Sequence, residues 1–336
     1  MKYQRTLVII LTLTFVFFSI LSPSRFLRPY NLQTMLFQLP EFGILSLGMM
    51  ICIATGGINL SISAATALSG IIGALILSGH VDSSLSVGWM IFGAIALGLI
   101  TSFLTGVLNG VFVAFLGVTP ILVTVGTRAV FEGIGFVLTK GGSVSGFPEG
   151  FDFIGAAAPL GIPFPLFIFS LVAAGTYLLL HRTPWGSRVF MIGSSPNASK
   201  YSGIPVRRIL MQVYVYSSLM AGVAAVVMIS RYNSGKVTLG SSYLLQSIAA
   251  VVLGGTSIYG GRGSVLGVIL ATAILQVISS GMNILGINRF LIQVSTGAIL
   301  ILALTVNYFA ENGKLPKIGR FFGKSSTGEK QPTAEM

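Results

Sequence analysis

"GSSPNASKYSGIPVRRI", residues 193–209, is a polar and basic break in a chain that is otherwise oily. Apolar runs at about 160–180 and 209–230 flank it, and each reaches the roughly 20 residues that a bilayer-crossing helix needs. Read with those flanks, it is the end of a loop between two membrane spans. Its own signals are specific. Ser195 followed by Pro196 predicts a helix start, because Ser caps free amides and Pro suits the first helical position. Asn197 to Ser202 then forms a short helix, and Gly203 suits the left-handed residue that ends it. Pro205 begins the next helix, and Arg207 and Arg208 mark its entry into the membrane. The loop, 181–208, is longer than ordinary connectors and presents Asn197, Lys200 and Tyr201. These signals alone fit a solvated connector and a docking element equally.

Outside the loop, composition sets the class. Of 336 residues, 53% are hydrophobic and 8% charged, with a mean hydropathy of +0.89. A soluble domain carries about 25% charged residues. The 42 glycines lie within the apolar runs, as they do where membrane helices pack closely. The runs are continuous, whereas a β-barrel shows short alternating segments. The expectation is an all-α polytopic transmembrane bundle of about ten spans: 6–22, 35–54, 60–79, 87–116, 119–139, 160–180, 209–230, 244–258, 263–285 and 289–309. The fourth is long enough to tilt or break. The first has a signal-like basic flank, but its apolar stretch is long and no A-x-A-like site follows, so an uncleaved span is expected. One cysteine, Cys52, permits no intrachain disulfide, and His80 and His181 make no zinc site.

Lys and Arg in short loops set orientation. With the N-terminus in the cytoplasm, thirteen fall inside, six outside, and Arg128 lies within a span. Asp82, Glu149 and Asp152 fall outside. Both termini are thus expected in the cytoplasm. The net charge of +12 follows from this bias and needs no nucleic acid, and it favours anionic lipid headgroups. The tail 311–336 reads as a disordered cytoplasmic end. Its "GKSS", 323–326, has Ile318 where a phosphate-binding loop needs glycine, so the chain carries no such loop.

"MIGSSPNASKYSGIPVRRI", 191–209, resembles the cytoplasmic loop of permease subunits from ribose-type ATP-binding-cassette (ABC) importers, through Gly193, Pro196, Ala198, Ser202, Gly203, Ile204, Val206 and Arg208. "ATGGINLSISAATALSG" (54–70), "GVLNGVFVAFLGVTPILVTVGT" (106–127) and "IAAVVLGGTSIYGGRGSVLGV" (248–268) resemble further segments of that family, with Asn59 where Asp is usual. The wording of "LHRTPWGSRVFMIGSSP" leans toward its autoinducer-2 branch. The resemblance implies an ABC importer permease fold over 1–310 and an ATPase-docking loop at 181–208. It implies that Gly193, Pro196, Asn197, Ala198, Lys200, Tyr201, Ser202, Gly203, Ile204 and Arg208 carry the docking. The implied partners are ABC ATPase subunits that use the ATP, a second permease subunit, a periplasmic solute-binding protein and membrane lipid. The implied solute is autoinducer-2 or a related monosaccharide or polyol, carried across a bacterial inner membrane. The chain would hold no cofactor and do no chemistry.

Asn59, Arg128 and Glu132 are candidates for the pathway or a gate. Arg128 and Glu132 are four apart on one helix and face the same side, so a mutually neutralising pair explains them equally. Asn59 follows Gly56–Gly57, where a helix breaks or a tight turn forms. Glu41 is expected at the interface. Gly106-x-x-x-Gly110 permits close helix contact with Asn109 in it, and Gln246, Gln276, Asn283 and Gln293 are polar groups in late spans. A phosphate-cradling role for the glycines at 254–263 is not favoured, because the G-x-G-x-x-G spacing is absent. An ion-coupled secondary transporter or channel is the alternative function, with Glu41 and Glu132 as its available titrating groups. No clustered nucleophile, base or ligand set suggests an enzyme.

Overall fold

The computed structural model describes residues 2–79 and 86–312. His80, Asp82 and nearly all of the polar tail, with its "GKSS", lie outside them. The described chain is helical apart from a two-stranded ribbon. In order the helices are α1 Lys2–Leu21, α2 Pro23–Phe26, α3 Pro29–Ala54, α4 Ile62–Leu77, α5 Val87–Gly110, α6 Pro120–Thr139, α7 Phe153–Ala156, α8 Phe164–Arg182, α9 Pro184–Ser194, α10 Pro196–Tyr201, α11 Val206–Tyr232, α12 Tyr243–Leu253, α13 Val265–Ile284 and α14 Arg289–Asn312. The ribbon joins β1, Val144–Ser145, antiparallel to β2, Ser234–Gly235. A π-helical turn, Val111–Phe115, extends α5, where the sequence leads one to expect a tilt or break.

Every expected span coincides with a helix, but the number of crossings differs from expectation. Among the described residues, seven helices are long and apolar enough to cross a membrane. The apolar stretches Ile62–Leu77, Tyr243–Leu253 and Phe290–Thr305 fall short of that length. Ten crossings are therefore not established. The physical reason is visible at α12: it stops at Leu253, and the glycine-rich stretch that follows turns as a loop instead of continuing the span.

α11 is the axis of the bundle. It packs along α5, α3 and α4, while α3 also meets α8, α12 and α13. Small residues make this possible: Ser217, Ser218, Ala221, Gly222, Ala224 and Ala225 are all buried on α11. Across from them, Gly106 and Gly110 on α5 leave no room for a side chain against Val215 and Met211. Lipid tails are as apolar as leucine, so helices here gain stability from van der Waals fit, and small residues allow it. α1 lies on α13, and its remaining faces are largely exposed.

Candidate docking element and its connection to the membrane core

α10 forms as its sequence dictates. The Ser195 hydroxyl accepts from the Ala198 amide at 3.2 Å, and Pro196 occupies the first turn. Gly203 has φ +76° and ends the helix, with the Ile204 amide donating back to the Ser199 carbonyl at 3.0 Å. Pro205 is the N-cap of α11, which begins at Val206, one place later than the start expected at Pro205. Sequence reasoning missed α9. Its signals were present in Thr183 and Pro184, the same Ser/Thr-Pro pair that marks α10: the Thr183 hydroxyl faces the Gly186 amide at 3.5 Å.

The loop residues divide by exposure. Pro196, Asn197, Ala198, Lys200, Ser202, Gly203 and Arg208 are exposed, Tyr201 is 91% exposed, and Ile204 is half-buried. Gly193 is placed differently. It is buried, and a Cβ on it would collide with the Ala54 carbonyl oxygen and the Gly261 amide nitrogen. Three backbones meet at that point: the end of α3, the end of α9, and the loop between α12 and α13. The Gly261 amide donates to the Ala54 carbonyl at 2.9 Å, so the contact is hydrogen-bonded as well as close. The glycine loop thus serves as a joint among backbones.

Just beyond Ala54 the chain turns through Gly56 into Asn59, which is fully buried. A chain of hydrogen bonds starts there. Asn59 Nδ2 donates to Ser217 Oγ on α11 at 3.1 Å, and Ser61 Oγ donates to Asn59 Oδ1 at 2.8 Å. Asn109 Nδ2 on α5 donates to Ser61 Oγ at 2.8 Å, and Thr127 Oγ1 on α6 donates to Asn109 Oδ1 at 2.6 Å. Four elements are tied by uncharged groups, each satisfied by the next. A net contribution of about 0.5–1.5 kcal/mol per bond is ordinary, and an orphaned member costs more. Asn59 and Ser61 meet locally, two residues apart, but only the tertiary structure brings Asn109 and Ser217 to them.

Residues 31–304 match the family described as branched-chain amino acid transport system / permease component. The chain belongs to this family. Among similar proteins, the ribose import permease of Bacillus subtilis (strain 168) is 36% identical over 292 residues, covering 86% of this chain and 88% of its own. The autoinducer 2 import system permease of Yersinia pseudotuberculosis (serotype O:3) is 32% identical over 311 residues, 90% of each chain. A solved inward-facing metal-chelate type ABC transporter has the same fold, with TM-score 0.53 and 18% identity over 92% of this chain and 99% of its own. The expectation of an ABC importer permease fold and function stands on these findings. The proteins it resembles are transport components, not enzymes.

The permease holds its membrane charges in pairs. Arg128 Nε lies 2.8 Å from Glu132 Oε1 on α6, with 37% and 33% of their side chains exposed. Glu41 is 0% exposed and enclosed among helices, with Arg231 Nη1 at 2.7 Å from one oxygen. The Tyr232 and Tyr243 hydroxyls donate to the other at 2.9 and 2.7 Å. Nothing near Glu41 in sequence signals this, because its partners lie about 190 to 200 residues away. Of the late polar groups, Gln276 donates to Gln38 on α3 at 2.9 Å.

Proposed function

We propose that this permease is the membrane subunit of an ATP-driven importer for a small polyhydroxylated solute, a monosaccharide or autoinducer-2. Its similarity to permeases named for ribose and autoinducer-2 supports the solute class. The chain itself hydrolyses nothing and holds no cofactor. ATPase subunits supply the energy, a second permease subunit completes the path, and a periplasmic binding protein delivers the solute. The protein sits in a bacterial inner membrane with both termini in the cytoplasm, residues 1–310 as the permease domain and 311–336 as a polar cytoplasmic tail. Asn59, Arg128 and Glu132 border the path or its gate. Asn59 acts there through its neighbours, since it is fully buried.

The observation that carries this reading is the double character of the 181–208 segment. Its tip, α10, is capped and exposed, and its base at Gly193 is wedged against the end of α3. An exposed helix on a rigid joint is suited to receive a push and deliver it to the spans. The segment therefore docks the ATPase, through Pro196, Asn197, Ala198, Lys200, Tyr201, Ser202, Gly203, Ile204 and Arg208, with Gly193 as the joint. The ion-coupled alternative is less favoured, because Glu41 and Glu132 are each already held by an arginine.

The test is a pull-down of the tagged chain from mild detergent, followed by uptake in proteoliposomes. Co-purification of a P-loop ATPase, with uptake that needs ATP and survives collapse of the proton gradient, is expected. A chain that purifies alone and transports without ATP would overturn the proposal.

A further inference from the structure

A cleft of about 730 Å³ opens beside the candidate docking element, where the end of α8 meets α9 and the turn that follows α10. Its polar wall is His181, Arg182, Ser187 and Arg188, and its apolar lining includes Met191 and Ile204. Among the described residues the salt bridges are Arg128–Glu132 and Arg231–Glu41, so neither cleft arginine has a carboxylate partner. Two guanidinium groups in one cleft repel each other, and an anion between them removes that cost. Arginine also presents the fork geometry that matches phosphate oxygens.

The position of the cleft narrows the source of the anion. His181 and Arg182 are the last turn of a helix long and apolar enough to cross the membrane. Around them is an aromatic girdle. The His181 ring lies 5.0 Å from Tyr177 and 6.0 Å from Phe190, and Trp185 lies 6.3 Å from Tyr216. Trp and Tyr concentrate at headgroup depth. A basic cleft at that depth with an apolar lining matches a phosphate diester on a diacylglycerol: Arg182 and Arg188 face the phosphate, and Pro184 and Met191 face the glycerol and first methylenes.

We infer that this cleft is a binding site for the phosphate of an anionic phospholipid headgroup, next to the docking element. The site is independent of the transported solute, and its test reads lipid retention, not transport. The full chain is purified in detergent and offered phosphatidylglycerol, phosphatidylcholine or inorganic phosphate. Retained lipid is measured by native mass spectrometry, and thermal stability is followed in parallel. Phosphatidylglycerol should be retained over phosphatidylcholine. The double substitution Arg182→Gln/Arg188→Gln should weaken that preference about thirtyfold, about fivefold per arginine, the usual weight of a basic side chain at an anionic surface. Arg25→Gln, which removes an exposed charge elsewhere, should leave it unchanged. Equal retention of both lipids would overturn the inference, as would undiminished preference in the double variant or equal loss in Arg25→Gln. Stabilisation by inorganic phosphate equal to that by phosphatidylglycerol would assign the cleft to soluble phosphate and overturn the lipid site.

Discussion

The amide of Gly261 donates to the carbonyl of Ala54 across 2.9 Å, joining the loop before α13 to the last residue of α3. Gly193, at the end of α9, lies against both partners of that bond. Any displacement of α9 is thereby placed on the end of α3, four residues short of Ile58 and five short of Asn59, where the buried hydrogen-bond chain begins. This junction joins the end of α9, just before the exposed α10, to a helix long and apolar enough to span the bilayer. It makes the response of transport to changes in the loop predictable.

Gly193→Ala adds one methyl where the Ala54 oxygen and Gly261 nitrogen already sit. Overpacking of this kind costs about 1–3 kcal/mol. The expected result is a lower unfolding temperature in detergent together with reduced ATP-driven uptake. An alanine variant with the wild-type unfolding temperature would show that the three backbones do not meet as described.

Gly203 supplies the complementary case. It has φ +76° and open space where a Cβ would stand, so a substitution there is penalised by backbone conformation alone. Gly203→Val should therefore disturb the end of α10, at about 1–2 kcal/mol for a left-handed L-residue. Gly203→Asn should retain most function, because asparagine tolerates that region. Neither change should alter the helical signal in circular dichroism. Equal coupling of ATP hydrolysis to uptake in the valine and asparagine variants would count against this account of the loop.

Asn109→Leu removes the central link between Ser61 and Thr127 and leaves both hydroxyls buried without it. A loss of about 1–3 kcal/mol is expected. A double-mutant cycle with Thr127→Val should show strong coupling between the two positions, whereas additive effects would show that the bonds are not shared.

Arg231→Met strips Glu41 of its cation in a fully buried site, and a change of about 3–5 kcal/mol is expected for a broken buried pair. Glu41→Gln in the same background should recover much of the loss, as it removes the stranded charge. Thermal unfolding of the single and double variants reads this directly. If Glu41 were instead a proton carrier, Glu41→Gln alone would abolish uptake while leaving the fold intact.

Arg128 and Glu132 are a third exposed, so their pair should add little to stability, within about 1 kcal/mol. Arg128→Gln should lower uptake with little change in unfolding temperature if the pair borders the path. A change in unfolding temperature with unaltered uptake would make it structural.

Much of the 181–208 segment was legible beforehand because its signals are local. Ser195 and Pro196 start a helix within one turn, and Gly203 ends one through its own backbone, whatever surrounds them. α9 carried the same kind of signal at Thr183 and Pro184, but its residues fell in the segment 181–208 that was read as a loop. The burial of Glu41 was not legible at all. A carboxylate in an apolar run reads as interfacial until the partners that neutralise it are known, and Arg231, Tyr232 and Tyr243 come from helices far along the chain.

The sequence by itself determined the class of the protein: apolar runs of spanning length, their small residues, the capped polar loop and the family its motifs resemble. These depend on hydropathy and on backbone preferences within a few residues. The tertiary structure alone decided which distant groups meet: Gly193 with Ala54 and Gly261, Asn59 with Ser217, Ser61 with Asn109, Asn109 with Thr127, and Glu41 with Arg231. Such meetings depend on how close two backbones can come and on which polar group must find a partner away from water, and both are properties of the packed helices together.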